Sequence, residues 1–145
     1  ITFESINSDV LCWPDTSSAP DRLDNLWQST CFECFIGCSD TNAYLEVNAS
    51  PSGDWQTYHF SGYRADGQLS IHDSAKVTSE QTSDTKHAIS IEVDIGHPQF
   101  VTKRWQISIC AILADRNTKM SYYAIEHPGS QPDFHLSELR QLMLN

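Results

Sequence analysis

From Tyr44 to Ser50 the chain alternates without interruption: Leu45, Val47 and Ala49 take one parity, and Tyr44, Glu46, Asn48 and Ser50 the other. Successive side chains of a β-strand point to opposite faces, so this segment reads as a strand with one buried face and one polar face. Upstream, Thr30 to Ile36 is apolar on both parities except at Glu33, as in a central strand that carries a single carboxylate. A polar loop from Gly37 to Asn42 joins the two. Closed as a hairpin with Ile36 opposite Ala43, it sets Glu33 directly across from Glu46 and Cys31 across from Asn48, on one face. Directly opposed residues have Cβ atoms roughly 4.5–5.5 Å apart, and like charges there repel. Such a pair needs a shared proton, a cation, an arginine or a ligand hydroxyl between its members.

A third strand follows the turn Ser50 to Asp54, whose Pro51 and Gly53 are turn residues. Its register is open by one residue, and a slip of one exchanges the two faces. Burying two rings favours Tyr58 and Phe60 in the core beside Leu45 and Val47. Trp55, Thr57 and His59 then join Glu46 and Asn48 on the polar face.

The remaining chain repeats the strand pattern. Ile89, Ile91, Val93 and Ile95 share one parity, as do Trp105, Ile107, Ile109 and Ala111, with Gln106, Ser108, Cys110 and Ile112 opposite. Asp115 to Asn117 reads as a tight turn into Met120 to Glu126. Residues 65 to 84 are polar and sparse in apolar positions, which suggests one or two short edge strands and a long connection. Near the N-terminus, two short strand-like pieces flank a turn at Asn7 to Asp9, and Pro14 to Asp24 is a loop ending at the apolar pair Leu26 and Trp27. Leu136, Leu139, Leu142 and Met143 have helix-like spacing over a short span. Short strands between turn signals, without a long helical pattern, predict an all-β, antiparallel β-sandwich formed by one domain over residues 1 to 145. Its expected core contains Phe32, Cys34, Leu45, Val47, Phe60, Ile89, Ile91, Ile107 and Ile109.

The formal charge of −10 has the wrong sign for attraction to nucleic acid or an anionic membrane. No apolar run approaches the roughly 20 residues of a membrane-spanning helix. The five cysteines, at 12, 31, 34, 38 and 110, form an odd set without framework spacing. Cys31 and Cys34 fall on opposite faces of one strand and no second Cys or His pair follows at zinc-site spacing, so the group does not read as metal ligands, and Cys34 and Cys110 read as small core residues. Reduced cysteines suit a cytoplasmic location.

The candidate ligand-binding set is Glu33, Glu46, Asn48, Trp55 and His59, with Arg64 near it. Sugars offer hydroxyls to carboxylates and amides, and apolar ring faces to indoles. The competing reading is a solvated sheet face with Trp55 as an incidental surface ring. Arg64 can bridge Glu33 or Glu46, the preferred structural role, or clamp an acidic ligand. Paired carboxylates also suggest glycoside hydrolysis, where separations of about 5–5.5 Å or about 6.5–9.5 Å distinguish the two outcomes. No triad or nucleophile motif surrounds Ser50 and Ser52. His127, Asp133 and His135 read as residues that hydrogen-bond the C-terminal loop onto the sandwich.

Leu26-Trp27, Thr30 to Glu33, Glu46-x-Asn48-x-Ser50 to Gly53-x-Trp55, Tyr58-x-Phe60, Tyr63-Arg64, Ser121 to Ile125, His127 and Pro132 to His135 resemble blocks of the bacterial DOMON-like proteins related to the family-nine carbohydrate-binding modules. That resemblance implies a β-sandwich with a small-molecule ligand, sugar or haem in relatives, the haem held by axial His or Met. It also implies a further strand before residue 1, and so a trimmed N-terminus. The reading that follows is a non-catalytic domain for a small neutral, saccharide-like ligand, with no cofactor, metal, nucleic acid or membrane partner. A haem-binding redox domain, a glycoside hydrolase using Glu33 and Glu46, and a structural or protein-interaction domain are the alternatives.

Overall fold

The computed structural model describes residues 1–6, 10–83, 86–100 and 104–144. Two antiparallel sheets pack face to face. The smaller has the order β1 (Thr2–Ile6), β7 (Lys86–Ile95), β6 (Asp73–Ser83). The larger runs from β8 (Trp105–Ala114) through β2 (Cys31–Cys38), β3 (Tyr44–Ala49) and β4 (Trp55–Phe60) to the short β5 (Gln68–Leu69). The other edge of β8 is shared by β9 (Met120–Ala124) along one half and β10 (Leu142–Leu144) along the other. The predicted all-β sandwich is what forms. The turn expected at Asn7 to Asp9 lies outside the described residues.

The core between the sheets is built by parity. Phe32, Cys34 and Ile36 of β2 pair with Ala49, Val47 and Leu45 of β3 on the inner face. Ala111, Ile109 and Ile107 of β8 flank them on the other side. Ile89 and Ile91 of β7, with Ala75 and Val77 of β6, close the layer from the small sheet. Leu45, Val47 and Ile89 are fully buried, and burial of each such side chain stabilises by about 1.5–3 kcal/mol. Of the residues expected in the core, Tyr58 and Phe60 sit elsewhere, on the outer face of the large sheet, Phe60 against a second cluster of Phe35, Tyr44, Cys110, Ile112 and Phe134.

Three expectations are corrected. Strand β2 runs on through Gly37 to Cys38, so the hairpin register moves by two residues: Glu33 lies opposite Asn48, and Glu46 opposite Phe35. A shift of two keeps both carboxylates on one face but makes them diagonal neighbours, with Cβ atoms roughly 7–8 Å apart. In β4 the faces are exchanged. Val47 pairs with Thr57, Ala49 with Trp55 and Leu45 with His59, so Trp55, Thr57 and His59 face the small sheet, while Tyr58 and Phe60 face outward beside Glu46 and Tyr44. Finally, the stretch after Arg64 supplies one short edge strand, β5, as expected, but residues 73–83 form one long strand in place of the long connection. Its inward positions Asp73, Ala75 and Val77 suffice because the outward face of an edge strand stays polar.

Tight turns carry their own signatures. Gly53 has φ 100, and a Cβ there would meet Pro20 at 2.9 Å, so glycine is required in the turn between β3 and β4. Asp73 is buried, and its Oδ1 accepts the Gly96 and His97 N–H groups, each at 3.0 Å, which ties the β7–β8 connection to the start of β6. The spacing of Leu136, Leu139, Leu142 and Met143 yields a single 3-10 turn, Ser137–Leu139, followed by β10.

Candidate functional site

The outer face of the large sheet is covered. Residues of the C-terminal segment lie across β2, β3 and β8, with Phe134 and Leu139 buried against them. A 3-10 turn, Leu26–Gln28, brings Trp27 over Tyr58, with ring centroids 5.9 Å apart. Between these two covers a cleft of about 440 Å3 remains open. Its floor is Glu33 of β2, Glu46 of β3, Tyr58 and Phe60 of β4, Ile112 of β8 and Tyr122 of β9; Trp27, Arg64, Pro132, Phe134 and His135 form the rim.

The two carboxyls are almost wholly buried, Glu33 being 4% exposed and Glu46 6%. Burial, with Glu46 as a like-charged neighbour, pushes the Glu33 carboxyl up to about 8. Burial raises Glu46 to about 7, against the opposing pull of the Asn48 amide and Arg64. Asn48 Nδ2 donates to Glu46 Oε1 at 2.9 Å. The Cys110 thiol donates to Glu33 Oε2 at 3.5 Å, a weak bond that leaves Oε1 without a donor among the described residues. Near neutral pH Glu33 is therefore largely a carboxylic acid, while Glu46 is close to its midpoint. A protonated carboxyl donates as well as accepts, so the floor can bond either way to a ligand hydroxyl.

His135 is fixed from both sides. Tyr44 Oη accepts the Arg64 backbone N–H at 3.2 Å and shares a 2.7 Å hydrogen bond with His135 Nδ1. His135 Nε2 faces Glu46 Oε2 at 3.8 Å. Burial holds the imidazole well below its usual range, at about 4, so the ring is neutral. The Tyr44 ring stacks on Phe60 at 4.8 Å, and Phe35, Tyr44 and Phe60 each meet the His135 ring edge to face. The expected role of the C-terminal loop residues holds for His135, and for Asp133, which accepts from Tyr63 Oη and from Arg64 Nη2, the latter at 3.0 Å. His127 is exposed, with its ring beside Phe134.

Of the six candidate residues, the fold brings Glu33, Glu46 and Arg64 to the cleft and sets Asn48 beside Glu46, beneath the floor. Arg64 pairs with Asp133 and not with either glutamate, because the turn that carries it meets the tail before it reaches the floor. Trp55 and His59 lie on the opposite face. Trp55 packs at the edge of the inner core, with the Arg22 guanidinium 4.8 Å above its ring. His59 stacks on His97 at 4.4 Å, and its Nε2 meets Gln99 Oε1 at 3.1 Å. Their displacement has the same cause as the face exchange in β4. Sequence reading missed Tyr58, Phe60, Ile112, Tyr122 and Phe134 as cleft residues. The shared parity of Gln106, Ser108, Cys110 and Ile112 is the signal for Ile112, which pairs with Cys31 on the face that carries Glu33.

Cys31 faces outward and Cys34 inward, as their spacing requires, and no disulfide joins the described cysteines. Among the described residues no helix is long and apolar enough to cross a membrane.

No protein-family model matches the sequence, and no curated protein matches it. Among solved structures, the fold is similar to that of a protein from Bacteroides uniformis described as a "putative carbohydrate-binding protein". The two align with a TM-score of 0.54 and 10% sequence identity, over 95% of this chain and 67% of that one. A likeness at this identity establishes the sandwich as a shared fold; what the cleft takes must be argued from the cleft.

Proposed function

We propose that the domain binds a neutral carbohydrate-like ligand, without transforming it, in the cleft between the outer sheet face and the C-terminal segment. The observation that carries this reading is one cleft that joins aromatic walls to two buried carboxyl groups. A sugar ring offers C–H faces to Trp27, Tyr58 and Tyr122, and hydroxyls to Glu33 and Glu46. The raised proton affinity of the two acids and the pairing of Arg64 with Asp133 keep the cleft closer to neutral than the chain as a whole. That favours an uncharged polar ligand over a cation or anion. The carbohydrate-binding description of the similar structure supports the same class, and so does the resemblance to DOMON-like proteins of the family-nine carbohydrate-binding type.

Titration of a glycan panel against the wild type and Trp27→Ala tests the proposal. Trp27 is 38% exposed, so its loss should spare the fold, and binding should weaken by about 1–3 kcal/mol if the indole stacks on the ligand. If a saccharide is consumed, and Glu33→Gln or Glu46→Gln stops consumption while binding survives, the hydrolase reading replaces this one. A haem absorbance band on reconstitution, lost in His135→Ala, would replace it with a redox domain. If no glycan binds, the cleft is a structural or protein-contact feature.

A further inference from the structure

A second cavity, of about 410 Å3, meets the first at His135 and is bordered by Asn42, Tyr44, Ser61, Tyr63, Ser137 and Arg140. Arg140 is its unusual member. The residue is 8% exposed, and its guanidinium lies 4.8 Å over the Tyr44 ring. It lies against the end of β2 at Gly37, where any Cβ would stand 2.9 Å from Nε. Its single side-chain hydrogen bond among the described residues runs from Nη1 to the His135 carbonyl, at 3.3 Å. No described carboxylate pairs with it. Two acids bonded to residues that border the cavity serve other groups: Asp133 accepts from Tyr63 and Arg64, and Asp66 accepts from Ser61.

A guanidinium carries five donors in a planar fork, and burying the charge without an anion is costly. The chain has only nine Lys and Arg residues, yet one of them is placed here, facing a polar cavity. The Asn42 amide and the Ser137 hydroxyl border the same space, and neither has a hydrogen-bond partner among the described residues. We propose that this cavity binds a small oxyanion, a carboxylate, phosphate or sulfate group that presents two oxygens to the Arg140 fork, with Asn42 and Ser137 as neutral donors beside it. Burial lowers the proton affinity of this guanidinium, with Tyr44 opposing, as expected of a cation without its counter-ion. The site stands independently of the reading of the larger cleft.

Thermal melts and titration calorimetry at constant ionic strength, with phosphate, sulfate or glucuronate exchanged for chloride, test it. At least one oxyanion should raise Tm in a saturating manner that chloride does not reproduce. Arg140→Met should abolish that response and, without oxyanion, melt at or above the wild-type temperature, since a buried unpaired charge has been removed. Arg140→Lys keeps the charge but loses the fork, and should weaken binding by roughly 10-fold or more. A response to glucuronate alone assigns the site to the acid group of a saccharide, and a response to phosphate or sulfate alone to a tetrahedral anion. The proposal fails if no oxyanion exceeds chloride, or if Arg140→Met responds as the wild type does. Should Arg140→Met not fold, Arg140→Lys decides: unchanged oxyanion affinity would overturn the site.

Discussion

The two faces of the large sheet are made by the same strands and differ in everything else. Inward, β2, β3 and β8 present Phe32, Cys34, Ile36, Leu45, Val47 and Ile107 to a second sheet, with no charge among them. Outward, the alternate residues of the same strands include Glu33, Glu46 and Asn48, equally buried, beneath a single chain segment and a 3-10 turn. A sheet covers a face continuously, but a loop covers it in patches. The outer face therefore has gaps, and buried polar groups sit next to them. Burial by itself does not separate core from site here; the kind of cover does.

The sharpest contrast should come from Val47→Asp. An unpaired carboxylate in the inner core costs on the order of 5 kcal/mol, enough to unfold the domain, and loss of the strand signal in circular dichroism would register it. Comparable survival of this variant would mean the inner face is not the core. Phe134→Ala tests the outer cover. Truncating this buried ring should cost about 3–5 kcal/mol in denaturant melts, with β2 and β3 retained in hydrogen exchange while the segment after Pro132 loses protection.

Glu33→Gln should act through pH. The folded carboxyl titrates near 8 against a reference of 4.5, so between those values the folded state binds more protons than the unfolded one. Wild-type stability must then fall as pH rises from about 4.5 to about 8, with Glu46 adding in the same sense up to about 7. His135 works in the opposite sense between about 4 and 6.5, since its folded form binds fewer protons. The variant should lose most of the downward slope and exceed the wild type above pH 8, while the two converge below pH 5. Parallel profiles would show that Glu33 is not a buried acid. The smallest effect belongs to Lys76→Ala on the outer side of the small sheet, where the 3.9 Å pair with Glu92 is open to water and removal should shift stability by less than about 0.5 kcal/mol.

Where only one parity is apolar, period-2 reading decides a face, and Tyr44 to Ser50, Lys86 to Ile95 and Trp105 to Ala111 all fold as their patterns require. Strand β4 defeats that method, because Trp55 and His59 on one parity and Tyr58 and Phe60 on the other are all rings. Counting buried rings favoured Tyr58 and Phe60 for the core. It left out that the outer face, too, is an interior once Trp27, Phe134 and His135 come down on it.

Local pattern was enough for the sandwich, for the inner faces of β2, β3, β7 and β8, and for the presence of Glu33 and Glu46 on one shared face, since a register error of two residues preserves parity. Long-range packing sets the rest: these acids are diagonal, Arg64 goes to Asp133, and Tyr58 stands beside Glu46 while Trp55 does not. Those outcomes depend on loop length and on which distant segment covers which face. Both are set by contacts among residues as far apart as Tyr44 and His135, which no local periodicity records.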